Sequence, residues 1–369
     1  MALLKYGHKV GVIAPKMKSV STLFRRTKEN VLPYFDLDAG LPTYRKEVLV
    51  APKQISYANY WLFLIAVRRV LNEYIKQNGK PDIIHAHAAI FGGVVAVDLA
   101  KVSDIPVVLT EHSSGFARDV YPSWQLKLAE KAITGSHSLI AVSPSLGKLL
   151  GNQFASSNRQ WRWIPNVVAD RFITPESFTA EDRPVRFLNL ALMTTNKGQR
   201  DLIKGFHLVV ESGLSAELWL AGDGPIRAEL EEQAAGLGVA KQIRFLGLIE
   251  PEKVPKLLSE IDVMVVSSHY ETFGVVSAEA LMAGLPVIAT RCGGPECIVE
   301  EGDGLLVPPK QPSALGQAMQ QVGNNLSDYN RKDIAERARN RFAGPAVAAR
   351  LTQEYQRVLS GDHVAGKPE

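Results

Sequence analysis

Apolar positions along the chain fall into two kinds of run that alternate. Short blocks rich in β-branched residues and without strict alternation, at 9–14, 82–86, 106–110 and 138–142, read as buried strands. Between them, 57–77, 90–101 and 122–134 carry apolar residues at helical spacing. Strands buried on both faces and separated by helices predict parallel sheets with helical layers on either side. The rhythm breaks around Trp161-Arg162-Trp163-Ile164-Pro165-Asn166, which reads as extended, and at 174–184, which is polar and proline-containing as a linker is. It then resumes with strands at 185–191, 216–221, 242–246, 263–266 and 286–290 and helices at 199–211, 225–237, 251–260 and 275–283. The pattern predicts an α/β chain of two Rossmann-like parallel-sheet domains, residues 1–165 and 166–342, facing a cleft that is the default ligand site. The stretch 312–359 is helical in pattern, and 343–369 is expected to form a terminal helix and tail that returns to the first domain.

Composition narrows this picture. A length of 369 residues suits two domains, and 46% hydrophobic with 22% charged residues excludes wholesale disorder. Two cysteines exclude a disulfide scaffold; Cys292 and Cys297 lack the CxxC pairing of a metal site and read as small reduced residues. The best apolar run, 60–67, stops at Arg68-Arg69, well short of the roughly 20 residues a membrane span needs. Polar Gly7-His8-Lys9 stands where the core of a signal peptide would be, so a cytoplasmic, non-integral protein is expected. The net charge of +4 hides an asymmetry: residues 1–165 hold 21 Lys and Arg against 11 Asp and Glu, the remainder 21 against 27. A basic first half fits an anionic surface as partner, and equally a solvated basic face.

Three turns in the second half are built for an anion. Asn196-Lys197-Gly198 follows the first strand there, placing a lysine and a helix N-terminus where strands end. Ala221-Gly222-Asp223-Gly224-Pro225 ends the next strand with residues that let a ligand approach the backbone, and Cys292-Gly293-Gly294-Pro295-Glu296 does so after the strand through Thr290. Glycines most often serve turns, but three such turns at one sheet edge favour phosphate. The strongest local signal is Glu271-Thr272-Phe273-Gly274-Val275-Val276-Ser277-Ala278-Glu279, where Gly274 turns the chain into a helix whose free amides face an anion. Glu279, a little over one turn in, is placed to accept hydrogen bonds from a ribose diol.

These residues resemble a family. Glu271-x-Phe273-Gly274-x-x-x-x-Glu279, the run Ala280 through Ile288, Gly293-Gly294-x-Glu296 and Gly304-Leu305-Leu306-Val307-Pro308 are similar to the nucleotide-sugar half of retaining glycosyltransferases of family 4, enzymes of GT-B fold. Lys197-Gly198, the Gly222 turn, Phe245-Leu246-Gly247 and Ile164-Pro165-Asn166 extend the likeness over nearly the whole chain. The resemblance implies transfer of a sugar from a nucleoside-diphosphate sugar to a hydroxyl of a saccharide or lipid-linked saccharide, in surface polysaccharide biosynthesis. It places Lys197 on the donor diphosphate, Glu279 on the ribose and Glu271 near the donor sugar, with Gly222 and the amides of Phe273, Gly274 and Val275 lining the donor. Thr110-Glu111-His112 ends a strand where the family puts a histidine beside the transferred sugar, so His112 joins Glu271 and Lys197 as the catalytic candidates. No Asp-x-Asp metal motif stands out in a suitable position, and neither an obligatory metal nor a nucleic-acid partner is expected.

The chain also departs from the family. Leu192 occupies the position, five residues before the lysine, where an arginine is common, leaving Arg200 or Arg291 as substitutes. Val167 follows Asn166 where glycine is usual. His85 and His87 share one face of a strand, which suits structural or acceptor-side histidines better than a metal site with no third ligand in view. The basic and apolar stretch 16–28, with Arg25, Arg26 and Lys28, fits either a peripheral contact with an anionic membrane or a surface loop. The first ten residues resemble the end of the family's first helix and its second strand, so an N-terminally truncated form with a loosened first domain is expected. A nucleotide-sugar epimerase of related fold and a non-catalytic nucleotide-sugar-binding subunit remain the alternative readings.

Overall fold

The computed structural model describes residues 2–19, 34–38, 40–50, 56–172 and 183–361. Contacts divide the chain into two compact units: Met1–Ala141, Gly147–Ile164 and Ala348–Glu369 form the first, Val142–Leu146 and Pro165–Val347 the second.

In the first unit a short helix α1 (Ala2–Lys5) precedes β1 (Val12–Ile13), β2 (Lys16–Ser19), β3 (Tyr34–Asp38), β4 (Leu41–Arg45) and β5 (Glu47–Val50). Then come α2 (Ser56–Asn78), β6 (Ile84–His87), α3 (Val94–Ser103), β7 (Val107–Glu111), α4 (Ser123–Gly135), β8 (Ser138–Ala141), α5 (Pro144–Gln153), whose first turn groups with the second unit, and β9 (Arg162–Trp163). A four-stranded parallel sheet of order β6-β7-β8-β9 forms the centre, with β7 and β8 buried along their whole length. The expected strand at 9–14 shrinks to Val12–Ile13, which pairs with β4 rather than with this sheet. β3 and β4 form an antiparallel hairpin, a departure from the all-parallel expectation, and β2 pairs with β5. The hairpin escapes a search for buried runs because its apolar residues are wet: Phe35 is 51% and Leu37 60% exposed.

The second unit keeps closer to the sequence pattern. β10 (Val185–Leu190), α6 (Gln199–Glu211), β11 (Ala216–Ala221), α7 (Arg227–Gly236), β12 (Ile243–Gly247), α8 (Val254–Ser259), β13 (Val263–Val266), α9 (Val275–Met282), β14 (Val287–Thr290), β15 (Gly304–Val307), α10 (Pro312–Asn324) and α11 (Arg331–Phe342) follow in turn. All six strands run parallel in the order β12-β11-β10-β13-β14-β15. The chain thus winds outward from β10 in one direction, returns, and winds outward from β13 in the other. Phe187, Leu218, Val263 and Ile288 from four neighbouring strands are fully buried and join Leu202, Phe206, Leu315 and Met319 from α6 and α10 in one core. Burying side chains of this size contributes about 1.5–3 kcal/mol each, offsetting the entropy of ordering both helical layers. The last helix, α12 (Gly344–Leu359), belongs to the first unit from Ala348 on. There Glu354 accepts from Ser138 and pairs with Arg162 and Arg357, and the Arg350 guanidinium lies over the Trp163 ring.

Among the described residues no helix is long and apolar enough to cross a membrane. Arg25, Arg26 and Lys28, put forward for an anionic surface, lie outside the described residues.

Candidate functional site

Where a doubly wound sheet reverses its winding, the loops leaving two adjacent strands diverge to opposite faces and open a crevice at the strands' carboxyl ends. In the second unit that point lies between β10 and β13. The loops leaving them, 191–198 and 267–274, carry Lys197 and Glu271, and the two meet: Lys197 Nζ lies 2.6 Å from Glu271 Oε1. The same oxygen accepts from Ser268 Oγ at 2.7 Å. Both charged side chains are only partly shielded, so the pair remains accessible to a ligand.

The loops are pinned to each other by backbone. Lys197 O accepts from Ser267 Oγ, the His269 amide donates to Asn196 O, and Asn196 Nδ2 donates to Tyr270 O. His269 Nε2 lies 2.9 Å from Asp201 Oδ2 in the first turn of α6. None of Ser267, Ser268 and His269 was singled out in the sequence, because the signal for each is strand adjacency rather than a local motif; Asn196 was named only as part of the turn before Gly198.

The glycine turns owe their composition to the same crowding. Gly198 adopts φ +66°, and a Cβ there would stand 2.0 Å from Ser267 O. At Gly222, φ +134°, it would meet Ala191 O at 1.9 Å; at Gly294, Phe273 O at 2.2 Å. No side chain fits such distances. Gly274, at φ +88°, is the N-cap of α9. Phe273 beside it is buried edge-on against Phe342, ring centroids 5.9 Å apart, so its side chain anchors the loop and leaves its backbone at the helix start. Among the described residues the amides of Phe273, Gly274 and Val275 donate to no backbone carbonyl. Such amides carry the positive end of the helix dipole.

Glu279 sits half-buried on α9, its carboxyl held above the usual carboxylate range by burial, against the opposing charge of Arg171. Leu192 is exposed, and of its suggested substitutes Arg200 is engaged with Glu229 on α7. Cys292 and Cys297 are free thiols, pushed up by burial to about 11 and about 12, which keeps them protonated and unreactive.

The first unit places a second set of groups at the carboxyl ends of β6 and β7. Two residues apart on one face of β6, His85 and His87 stack with ring centroids 4.6 Å apart, and the parallel register sets them opposite Val108 and Thr110 of β7. His112, just past β7, reaches His87: its Nε2 lies 2.9 Å from His87 Nδ1. The HxH pair therefore has a third imidazole beside it, although among the described residues no cluster suited to a metal forms. His85 is held on both nitrogens, by Tyr355 Oη at 2.6 Å and Thr110 Oγ1 at 2.7 Å. Desolvation, then the proximity of the neighbouring imidazoles, lowers His85 well below the usual histidine value and His87 to about 4. At neutral pH these two rings are therefore uncharged hydrogen-bonding groups.

Glu111 organises this end. Fully buried, it accepts from the amides of Ala89, His112 and Ser113 at 2.7–2.8 Å. Burial raises its pKa, and the three amides counter that effect only in part. It fastens the turn after β6, where Ala88 and Phe91 take φ +65° and +63°, to the loop that bears His112. Positive φ at non-glycine residues costs about 1–3 kcal/mol each and persists only where surrounding structure imposes it.

The family model "Glycosyl transferases group 1" matches residues 170–341, and "Glycosyltransferase Family 4" matches residues 1–172. A putative teichuronic acid biosynthesis glycosyltransferase of Bacillus subtilis, TuaC, is 27% identical over 384 residues, covering 96% of this chain and 92% of its own. Sucrose-phosphate synthase from Thermosynechococcus elongatus shares the fold with a TM-score of 0.74 at 23% identity, over 98% of this chain and 91% of that one. The Anabaena protein HepE, solved in complex with UDP and glucose, does so with a TM-score of 0.65 at 18% identity, over 86% of each chain.

Proposed function

The chain belongs to the family 4 glycosyltransferases and has their GT-B fold, and from that premise we propose that it moves a sugar from a nucleoside-diphosphate sugar to a hydroxyl of a saccharide or lipid-linked saccharide, with retention of anomeric configuration. The observation that carries this reading is the Lys197–Glu271 pair at the switch point of the second sheet, beside the amides of Phe273 to Val275. An ammonium held by Glu271 and, two residues on in the same loop, a helix start whose amides donate to no backbone carbonyl among the described residues favour a diphosphate and stabilise the charge it gains on leaving.

In this reaction the acceptor oxygen bonds to the anomeric carbon on the face that the diphosphate vacates. The carbon–oxygen bond to the donor breaks with its electron pair going to the phosphate, which also takes the acceptor's proton. The protein's part is positioning and electrostatics. Lys197 and the α9 amides hold the diphosphate, Glu279 accepts from the ribose diol, and Glu271 and His112 contact the sugar. No obligatory metal enters. HepE's UDP and glucose support a uridine donor, and the TuaC likeness supports a place in surface polysaccharide biosynthesis. The proposed location is cytoplasmic, peripheral on the membrane where lipid-linked acceptors lie.

The test is calorimetric titration with UDP, GDP and ADP, then mass spectrometry of the matching nucleotide sugar with and without saccharide or lipid-linked acceptors. One nucleotide is expected to bind, and the acceptor to gain one glycosyl unit. Conversion of donor alone would mark an epimerase, and binding without transfer or donor hydrolysis a binding subunit. Failure of all three nucleotides to bind would overturn the reading.

A further inference from the structure

A helix on a protein surface normally buries one face and wets the other. α2 buries Tyr60, Phe63, Ala66, Val70 and Leu71. Over its first three turns, however, the outward face is apolar as well. Tyr57 is 51%, Trp61 55%, Leu62 43% and Ile65 48% exposed. Spacing of four residues sets Tyr57, Trp61 and Ile65 in a row along the helix. The Trp124 ring at the start of α4 lies 6.1 Å from that of Tyr57 and widens the patch. The row ends at Arg68 and Arg69, both exposed and, among the described residues, in no ion pair.

Apolar residues scattered singly over a surface need no explanation, but a contiguous row with aromatic rings does. Its chemistry selects among occupants. Indole and phenol rings settle at the headgroup level of a bilayer, aliphatic side chains reach just below it, and guanidinium groups pair with lipid phosphates. The cations lie at one end of the row, within a first half of the chain that carries 21 basic against 11 acidic residues, the sign an anionic surface attracts. We propose that the outward face of α2, from Tyr57 to Arg69, is the surface by which the first unit seats on an anionic lipid bilayer. The surface is independent of the donor site, so its test involves neither nucleotide nor transfer.

The experiment uses the full chain with vesicles of phosphatidylcholine alone, or with about one-third phosphatidylglycerol, at low and high salt. Sedimentation of the protein with the anionic vesicles, weakened by salt, and a blue shift of tryptophan emission are expected. Arg68→Gln with Arg69→Gln should lower the partition coefficient about 25-fold, from roughly fivefold per arginine. Trp61→Ser with Ile65→Ser should lower it at least about tenfold and abolish most of the blue shift. The arginine pair is exposed, so its replacement keeps the test sound if the apolar pair alters folding, which circular dichroism would report. No binding by the parent chain, or equal binding by both variants, would overturn the proposal. So would loss of binding only on changing Arg25, Arg26 and Lys28. A dimer dissociated by Trp61→Ser would assign the face to a second copy instead, and overturn it too.

Discussion

The two sets of candidate groups are built by different means. At the switch point of the second unit, backbone meets backbone: Gly198, Gly222 and Gly294 let loops touch where any side chain would collide, and Phe273 is buried so that its amide is presented. At the ends of β6 and β7 the site is made of side chains, with three imidazoles in a line and a buried carboxylate holding two strained alanine and phenylalanine residues in place. The difference follows from what each would recognise. A diphosphate is the same in every donor and is well held by amides and one cation, which fix the backbone geometry. A sugar presents hydroxyls in particular directions and is read by side chains that vary with the task.

The comparison breaks first at the glycines. Gly222→Ala places a methyl group 1.9 Å from Ala191 O, a backbone atom held by the β10–β11 ladder that has no way to yield cheaply. A loss of about 3–5 kcal/mol is expected, or failure of the second unit to fold. The contrast is Gly151→Ala in α5, where nothing lies within 4 Å and φ is ordinary; helix propensity there predicts a gain of up to about 1 kcal/mol. Thermal unfolding of the two variants decides. Equal midpoints would mean that the second site tolerates side chains and that its glycines are incidental.

This same distinction explains what could be read beforehand. The segments 199–211, 216–221 and 263–266 coincide with α6, β11 and β13, because an amphipathic helix repeats its apolar residues at helical spacing and strands buried on both faces read as largely apolar runs. The glycine turns were legible for a related reason: a backbone that must come close leaves glycine at the contact. What escaped depended on partners distant in sequence. His112 adjoins His87 only through the register of β6 against β7, and Tyr355 reaches His85 across 270 residues. Glu111 passed as part of Thr110-Glu111-His112, yet its three amide contacts are what hold the loop. The β3–β4 hairpin was missed because its exposed apolar residues imitate neither a buried strand nor an amphipathic helix.

Within the second site, Lys197→Ala removes a charge-assisted contact of roughly 1.5–3 kcal/mol and should weaken nucleoside-diphosphate binding about ten- to a hundredfold. Leu192 is exposed and uncharged and Arg200 is engaged by Glu229, so neither replaces the lost ammonium. Glu271→Gln should act in the opposite sense on binding, since it frees the ammonium from its ion pair, while lowering turnover if Glu271 contacts the sugar. Calorimetry on both variants separates the roles. Unchanged affinity in folded Lys197→Ala would remove the lysine from the diphosphate.

The first site should answer with turnover rather than with nucleotide affinity. His112→Ala is expected to lower kcat about tenfold, the worth of roughly one well-placed hydrogen bond, and to leave the nucleotide Kd alone. His87→Gln keeps a polar partner for His112 Nε2 but loses the ring that stacks on His85, so a smaller loss is expected. If His112→Ala transferred sugar at the parent rate, the imidazole row would be structural and the two sites would share no chemistry.

The smallest effect is the most discriminating, because it couples burial to ligand. Burial holds Glu279 above the ordinary carboxylate range, so between the ordinary value and the raised one the folded chain binds a proton that the unfolded chain does not. Its contribution to stability is therefore full below that window and is lost as pH rises through the folded pKa. Ribose binding runs the other way, since the diol donates hydrogen bonds and needs the ionised carboxylate to accept them. A ribonucleoside diphosphate should thus gain over its 2′-deoxy counterpart as pH rises from the ordinary carboxylate value through the raised one, reaching roughly fivefold, or about 1 kcal/mol. Glu279→Gln should flatten the pH dependence and erase most of the ribose preference together. A preference that survives the substitution, or one that does not change with pH in the parent chain, would take Glu279 off the ribose and leave its burial as a feature of packing alone.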